Sequence, residues 1–135
     1  LLPLILGIIS NPSSLFFVEE PESHLHPYLQ SMLADFFVDA TKSLRRSSSQ
    51  FLIETHSEYF IRKLQYLIAS DKINPEDISL YYIHKKDNIP HGSNQIQKMN
   101  FKKDGSLETS FGSGFIDEAT NLAIELYNFK KINRN

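Results

Sequence analysis

Residues 15–27 read Leu-Phe-Phe-Val-Glu-Glu-Pro-Glu-Ser-His-Leu-His-Pro, and they gather most of the residues here that could do chemistry. Glu19 and Glu20 are adjacent carboxylates, and Glu22, His24 and His26 follow at alternate positions. Carboxylates of this kind hold hard divalent cations or orient and deprotonate water, and two histidines at alternate positions can share one metal. A single acid after an apolar run is ordinarily just the polar end of a strand. Two in a row, followed by further titratable groups, are costly beside a hydrophobic strand unless they have partners, which favours a functional reading. A second such group, Glu54-Thr55-His56-Ser57, closes a second apolar run at residues 51–53.

Two short strands and the helix between them must position these groups. Residues 15–18 form an apolar run of the kind a fully buried parallel strand needs, and Pro21 forces the strand to stop before it. Pro27 suits a first helical position, and Tyr28, Leu29, Met32, Leu33, Phe36, Phe37 and Ala40 recur at the spacing of one apolar helix face. Residues 51–53 then give a second buried strand. The order strand, helix, strand is a right-handed βαβ unit with parallel strands, so both polar strand ends face the same side. Ligands bind in the crevice outside those ends, which makes Glu20 and His56 candidates for one site. Thr55 and Glu58 read as a capping box, N-cap and N3, opening a helix whose inner face carries Phe60, Ile61, Leu64, Leu67 and Ile68. Lys42, Arg45 and Arg46 are better read as a solvated cluster at the negative end of a helix than as a phosphate patch.

The remaining segments frame this unit. Residues 1–9 are apolar almost all round and read as the tail of a buried helix; they are too short for a membrane span and lack the basic flank of a signal peptide. The chain starts at Leu1 inside that run and reads as part of something larger. Residues 78–84 and 95–102 predict two strands, the second an edge strand, with a tight turn at Asp104-Gly105. Residues 115–130 predict a last helix, with Phe115, Ile116, Ala119, Leu122, Ala123, Leu126 and Phe129 on one face. At 135 residues with 41% hydrophobic and 22% charged content, the chain has room for one modest core, and its net charge of -2 gives no overall electrostatic case for nucleic acid. Without cysteine there is no disulfide, thiolate metal site or cysteine nucleophile, as suits a reducing cytoplasm.

Residues 15–27 resemble the Walker B strand and following D-loop of ABC-type ATPase heads, and Ile53-Glu54-Thr55-His56-Ser57 resembles their switch-histidine loop. The Glu-Glu-Pro-Glu and His-Leu-His-Pro variant is similar to the branch holding the overcoming-lysogenization-defect (OLD) nucleases, SMC-like proteins and AAA-type ATPases of bacterial anti-phage systems. Residues 113–118, Ser-Gly-Phe-Ile-Asp-Glu, are similar to a Gly-Phe-Phe-Asp ending of stand-alone members, and Leu1-Leu2-Pro3 resembles the helix after their signature motif. The resemblance implies an α/β fold: the C-terminal portion of a P-loop NTPase parallel sheet with flanking helices, followed by a β-hairpin and a helix. Residues 1–135 then form a single partial domain. Glu19 aligns with the acid that holds Mg²⁺ and Glu20 with the general base. His56 aligns with the γ-phosphate contact, and Ser23, His24 and His26 lie in the loop that crosses a dimer interface. The family more often has Asp at the position of Glu19, and a D-loop Asp where this chain has His26.

These roles suit phosphoryl transfer, which needs mainly positioning and charge neutralisation. No G-x-x-x-x-G-K-[ST] occurs, and the Gln loop and Ser-Gly signature are absent too, so the chain alone is expected neither to bind ATP tightly nor to hydrolyse it. The implied parent hydrolyses ATP with Mg²⁺ in a head-to-head homodimer coupled to an effector nuclease or a DNA-associated task, away from membranes. Two other readings stand beside it: a metal-dependent hydrolase built on His24 and His26 with Glu19, Glu20 or Glu22, and a non-catalytic interaction module.

Overall fold

The computed structural model describes residues 2–10, 14–43, 49–89, 92, 94–111, 115 and 118–132. It is α/β, and the chain forms two compact units, one of residues 1–77 with 101–106 and the other of residues 78–100 with 107–135.

The first unit is built on β1 (Leu15–Glu19), α2 (Pro27–Ser43), β2 (Gln50–Glu54) and α3 (Glu58–Ala69), preceded by α1 (Leu2–Ser10). Strands β1 and β2 pair in parallel with Phe16 opposite Phe51 and Glu19 opposite Glu54, so the two polar ends do lie side by side as the βαβ reading requires. The core is aromatic. Phe16 and Phe51 stack at 5.5 Å, and the ring of Phe37 from α2 meets Phe51 edge-on at 5.2 Å and Phe60 of α3 at 6.0 Å. The fully buried rings of Phe37 and Phe60 each stabilise the fold by roughly 1.5–3 kcal/mol through burial alone, and the half-buried Phe16 and Phe51 by less. All five residues expected on the inner face of α3 are buried.

Helix α2 turns its core face differently from the spacing-based expectation. Leu33, Ala34, Phe37 and Val38 are buried, whereas Tyr28, Leu29 and Met32 are exposed. The buried stripe is therefore the one that packs on α3. An ion pair between Lys63 and Asp35 (3.1 Å) ties the two helices at their rim. Helix α1 buries Ile8 but leaves Leu6 exposed, so it is one-sided rather than buried all round. Nor is β1 covered on both faces: Leu15, Phe17 (72% exposed) and Leu52 stand open on the side away from the aromatic core. A two-stranded parallel sheet with a single covering layer has this consequence, because alternate side chains point to opposite faces.

The Thr55 capping box is replaced by a different cap. Ser57, with extended backbone, is the N-cap of α3, and its hydroxyl accepts from the Phe60 N–H at 3.1 Å; the Thr55 hydroxyl accepts from Ser57 N instead. The helix starts two residues later than the sequence pattern suggests, since Thr55 and His56 are still needed to leave the strand. Lys42 donates to the backbone carbonyl of Lys72; Arg45 and Arg46 lie outside the described residues. Residues 101–106 belong to this unit, with Phe101 buried. The expected tight turn forms there, closed by Lys102 N to Ser106 O at 2.7 Å, with Gly105 at φ +79°.

In the second unit β3 (Leu80–Ile83) and β4 (Ile96–Met99) pair antiparallel, as expected for that hairpin. The Tyr82 ring packs on His84 at 4.8 Å and Phe111 at 5.4 Å, and buried His84 shares a 2.9 Å hydrogen bond with Gln97. Helix α4 (Glu118–Ile132) forms where its spacing predicts, but Leu122, Leu126 and Phe129, expected on a packed face, are exposed. Ser113, Gly114, Ile116 and Asp117 lie outside the described residues.

Candidate functional site

The site lies where β1 and β2 end. Glu20 N donates to Glu54 O at 2.9 Å, the last link of the parallel pair, and the chain then turns sharply through Pro21. Glu20 itself has φ +40° and His24 has φ +64°. A residue with a Cβ meets its own backbone in this region and loses of order 1–3 kcal/mol there, so such conformations persist only where the surroundings impose them, and they cluster at functional sites. Ser23 N to Glu20 O and Leu25 N to Glu22 O, both 3.0 Å, close the two successive turns that impose it.

This backbone places the Glu20 carboxylate between two partners. Its Oε2 accepts from the Ser23 hydroxyl at 2.9 Å, and its Oε1 lies 3.6 Å from His56 Nε2. Glu20, Ser23 and His56 are thus brought together across the parallel strand pair, on an accessible surface. Glu19, the residue before, is exposed at the strand end in register with Glu54. Its oxygens and those of Glu20 are of the kind a hard divalent cation prefers.

The loop histidines have separate surroundings. His26 begins α2: its Nδ1 accepts from Tyr28 N at 3.3 Å and its carbonyl accepts from Leu29 N and Gln30 N. One ring nitrogen is therefore engaged in capping. His24 is exposed on its left-handed backbone. Among the described residues no group of three or more histidine, aspartate or glutamate side chains is placed to hold a metal ion, so the His-x-His pair has no third ligand of that kind there.

Glu22, read from the sequence only as a possible ligand in the metal-hydrolase alternative, and Gln30, not singled out there, connect these loops. Glu22 is only 7% exposed, and its Oε1 accepts from the backbone N–H of His56 at 2.6 Å. Its Oε2 is buried with no hydrogen-bond partner among the described residues. Gln30 of α2 donates from Nε2 to Leu25 O at 2.9 Å and accepts at Oε1 from the Ser57 hydroxyl at 2.6 Å. The sequence marks Glu22 only as part of the acidic cluster and a possible metal ligand, and Gln30 only as a residue of an amphipathic helix, so neither carries a signal for this buried bridging role.

Residues 1–62 match the family described as "AAA domain, putative AbiEii toxin, Type IV TA system". The matched stretch runs from α1 through β1, α2 and β2 into α3, and includes Glu19, Glu20, Ser23, His24, His26 and His56. It supports an AAA-type ATPase domain and a nucleotide-binding role. No curated protein and no solved structure matches the chain. No helix among the described residues is long and apolar enough to cross a membrane.

Proposed function

We propose that this chain supplies the water-activating half of an ATP-hydrolysing domain of the ABC-like, SMC- and OLD-related kind. The observation that carries the reading is Glu20, held on a strained backbone at the end of a parallel strand, its carboxylate between the Ser23 hydroxyl and the His56 ring. Glu20 orients the attacking water and accepts its proton; Ser23 and His56 keep that carboxylate aimed, and His56 also donates to the γ-phosphate of ATP. Glu19, exposed beside Glu20 and Glu54, would hold Mg²⁺. When bound, the ion neutralises charge on the phosphate oxygens. Ser23, His24 and His26 line the loop offered to a second head in a head-to-head homodimer.

The open face of the parallel pair agrees with a partial domain. Leu15, Phe17 and Leu52 are exposed where a parallel sheet normally carries a second layer, and we assign that layer to the phosphate-cradling half of the same ATPase domain. By itself the chain lacks that cradle, so the 135 residues alone turn over no ATP. The parent couples hydrolysis to an effector, a nuclease or a DNA-associated activity, of the sort found in anti-phage ATPases, in the cytoplasm.

The test is ATP turnover by the natural full-length chain carrying these residues, compared with Glu20→Gln and His56→Ala. Loss of a positioned general base is expected to lower kcat by about 10²–10⁴-fold while nucleotide still binds. Unchanged turnover in Glu20→Gln would remove the central assignment. Activity lost to chelators but independent of ATP would favour a metal-dependent hydrolase instead.

A further inference from the structure

We infer that Glu22 is a positioning residue that sets His56 against Glu20 by bridging the two strand-end loops from inside the fold; this rests on the ATPase reading of that site. The bridge is direct. Glu22 follows β1 and His56 follows β2, and the Glu22 Oε1 accepts from the His56 N–H at 2.6 Å. Charged acceptors make the shorter and stronger hydrogen bonds, so this one holds the His56 backbone firmly. The His56 ring hangs from that backbone and reaches Glu20 Oε1 at 3.6 Å.

Burial makes the arrangement expensive to keep for stability alone. Glu22 is 7% exposed, and Oε2 is buried without a partner among the described residues, although an uncompensated oxygen of this kind costs free energy that an apolar side chain would avoid. Ordinary turn chemistry does not need it, since the turns at residues 20–25 are already closed by backbone bonds. The Gln30 link from Leu25 to Ser57 runs alongside, so each loop is tied to the other at two points: Glu22 to His56, and Leu25 through Gln30 to Ser57. Only the first holds the residue that faces Glu20.

The experiment uses the natural full-length chain with Glu22→Asp, which keeps the charge but shortens its reach, and Glu22→Gln, which keeps an oxygen at the same reach. Exchange of the His56 amide hydrogen is measured along with ATP turnover. Glu22→Asp is expected to lower kcat by up to about 100-fold with the nucleotide KM within about threefold, because a misplaced group costs chemistry rather than binding. It should add almost nothing in a His56→Ala background, since it acts through His56. Glu22→Gln should retain most of the turnover. In parallel, Glu22→Asp should speed His56 amide exchange by about tenfold or more, and Glu20→Gln should leave it alone. Losses that multiply in the Glu22→Asp, His56→Ala double variant, or kcat unchanged by Glu22→Asp, would overturn the assignment. Should Glu20→Gln leave turnover intact, the ATPase reading falls, and amide exchange alone decides the bridge: faster in Glu22→Asp supports it, unchanged refutes it.

Discussion

Replacing Glu20 by glycine and by alanine separates the backbone at the centre of the site from its chemistry. Both variants delete the same carboxylate and with it the contacts to Ser23 and His56. They differ only in the Cβ, which at φ +40° crowds the backbone. At an ordinary position alanine is the more stable of the two by roughly 0.4–1 kcal/mol, because glycine gives the unfolded chain more freedom. A left-handed backbone charges any Cβ roughly 1–2 kcal/mol, which outweighs that difference. Glu20→Gly is therefore expected to be more stable than Glu20→Ala by about 0.5–1 kcal/mol, a rise in Tm of a few degrees, while both variants lose ATP turnover to the same extent. Thermal unfolding of the two variants side by side in the natural full-length chain is the assay. If Glu20→Ala were the more stable, the backbone at residue 20 would not be strained, and strain would no longer mark this residue as functional.

Other outcomes are equally specific. A Cβ added at Gly105 would lie 2.2 Å from the Gln65 carbonyl oxygen and 3.2 Å from Ala69 Cβ at φ +79°, so Gly105→Ala is expected to cost at least about 2 kcal/mol in chemical denaturation; a neutral result would mean that the 101–106 turn does not sit on α3. Ser57→Ala removes the N-cap acceptor of Phe60 N and the donor to Gln30, and should destabilise by about 1–2 kcal/mol, whereas Thr55→Ala, which leaves the cap in place, should cost less. The Ser106 hydroxyl and then its N–H hold the Asp104 carboxyl below the usual carboxylate range. That contribution is present above the unfolded-state value and lost as pH falls through the lowered one, so NMR titration should find the Asp104 transition moved upward in Ser106→Ala.

How much of this was legible depended on how local each feature is. The paired strands, the helix between them and the five buried residues of α3 followed from hydrophobic period, since a βαβ unit is written in the order of its elements. Glu20 and His56 were brought to one side by the same topology. On α2 the expected face holds at Leu33 and Phe37 but not at Tyr28, Leu29 and Met32, because Ala34 and Val38 fit a helical stripe as well and only the position of α3 selects between them. Helix α4 shows the converse: its periodicity is clear, yet its apolar side chains are exposed, because spacing says which residues share a face and not what meets it.

Residue order alone determined the candidate chemistry here: adjacent carboxylates after one apolar run, a histidine after the next, and no phosphate-binding loop. Tertiary structure alone decided that Glu20 sits on a left-handed backbone between Ser23 and His56, and that Glu22 turns inward to hold the His56 N–H. The physical reason is range. Periodicity and turn chemistry act over a few residues, but the contact between Glu22 and His56 spans 34 positions and exists only once β1 and β2 lie side by side.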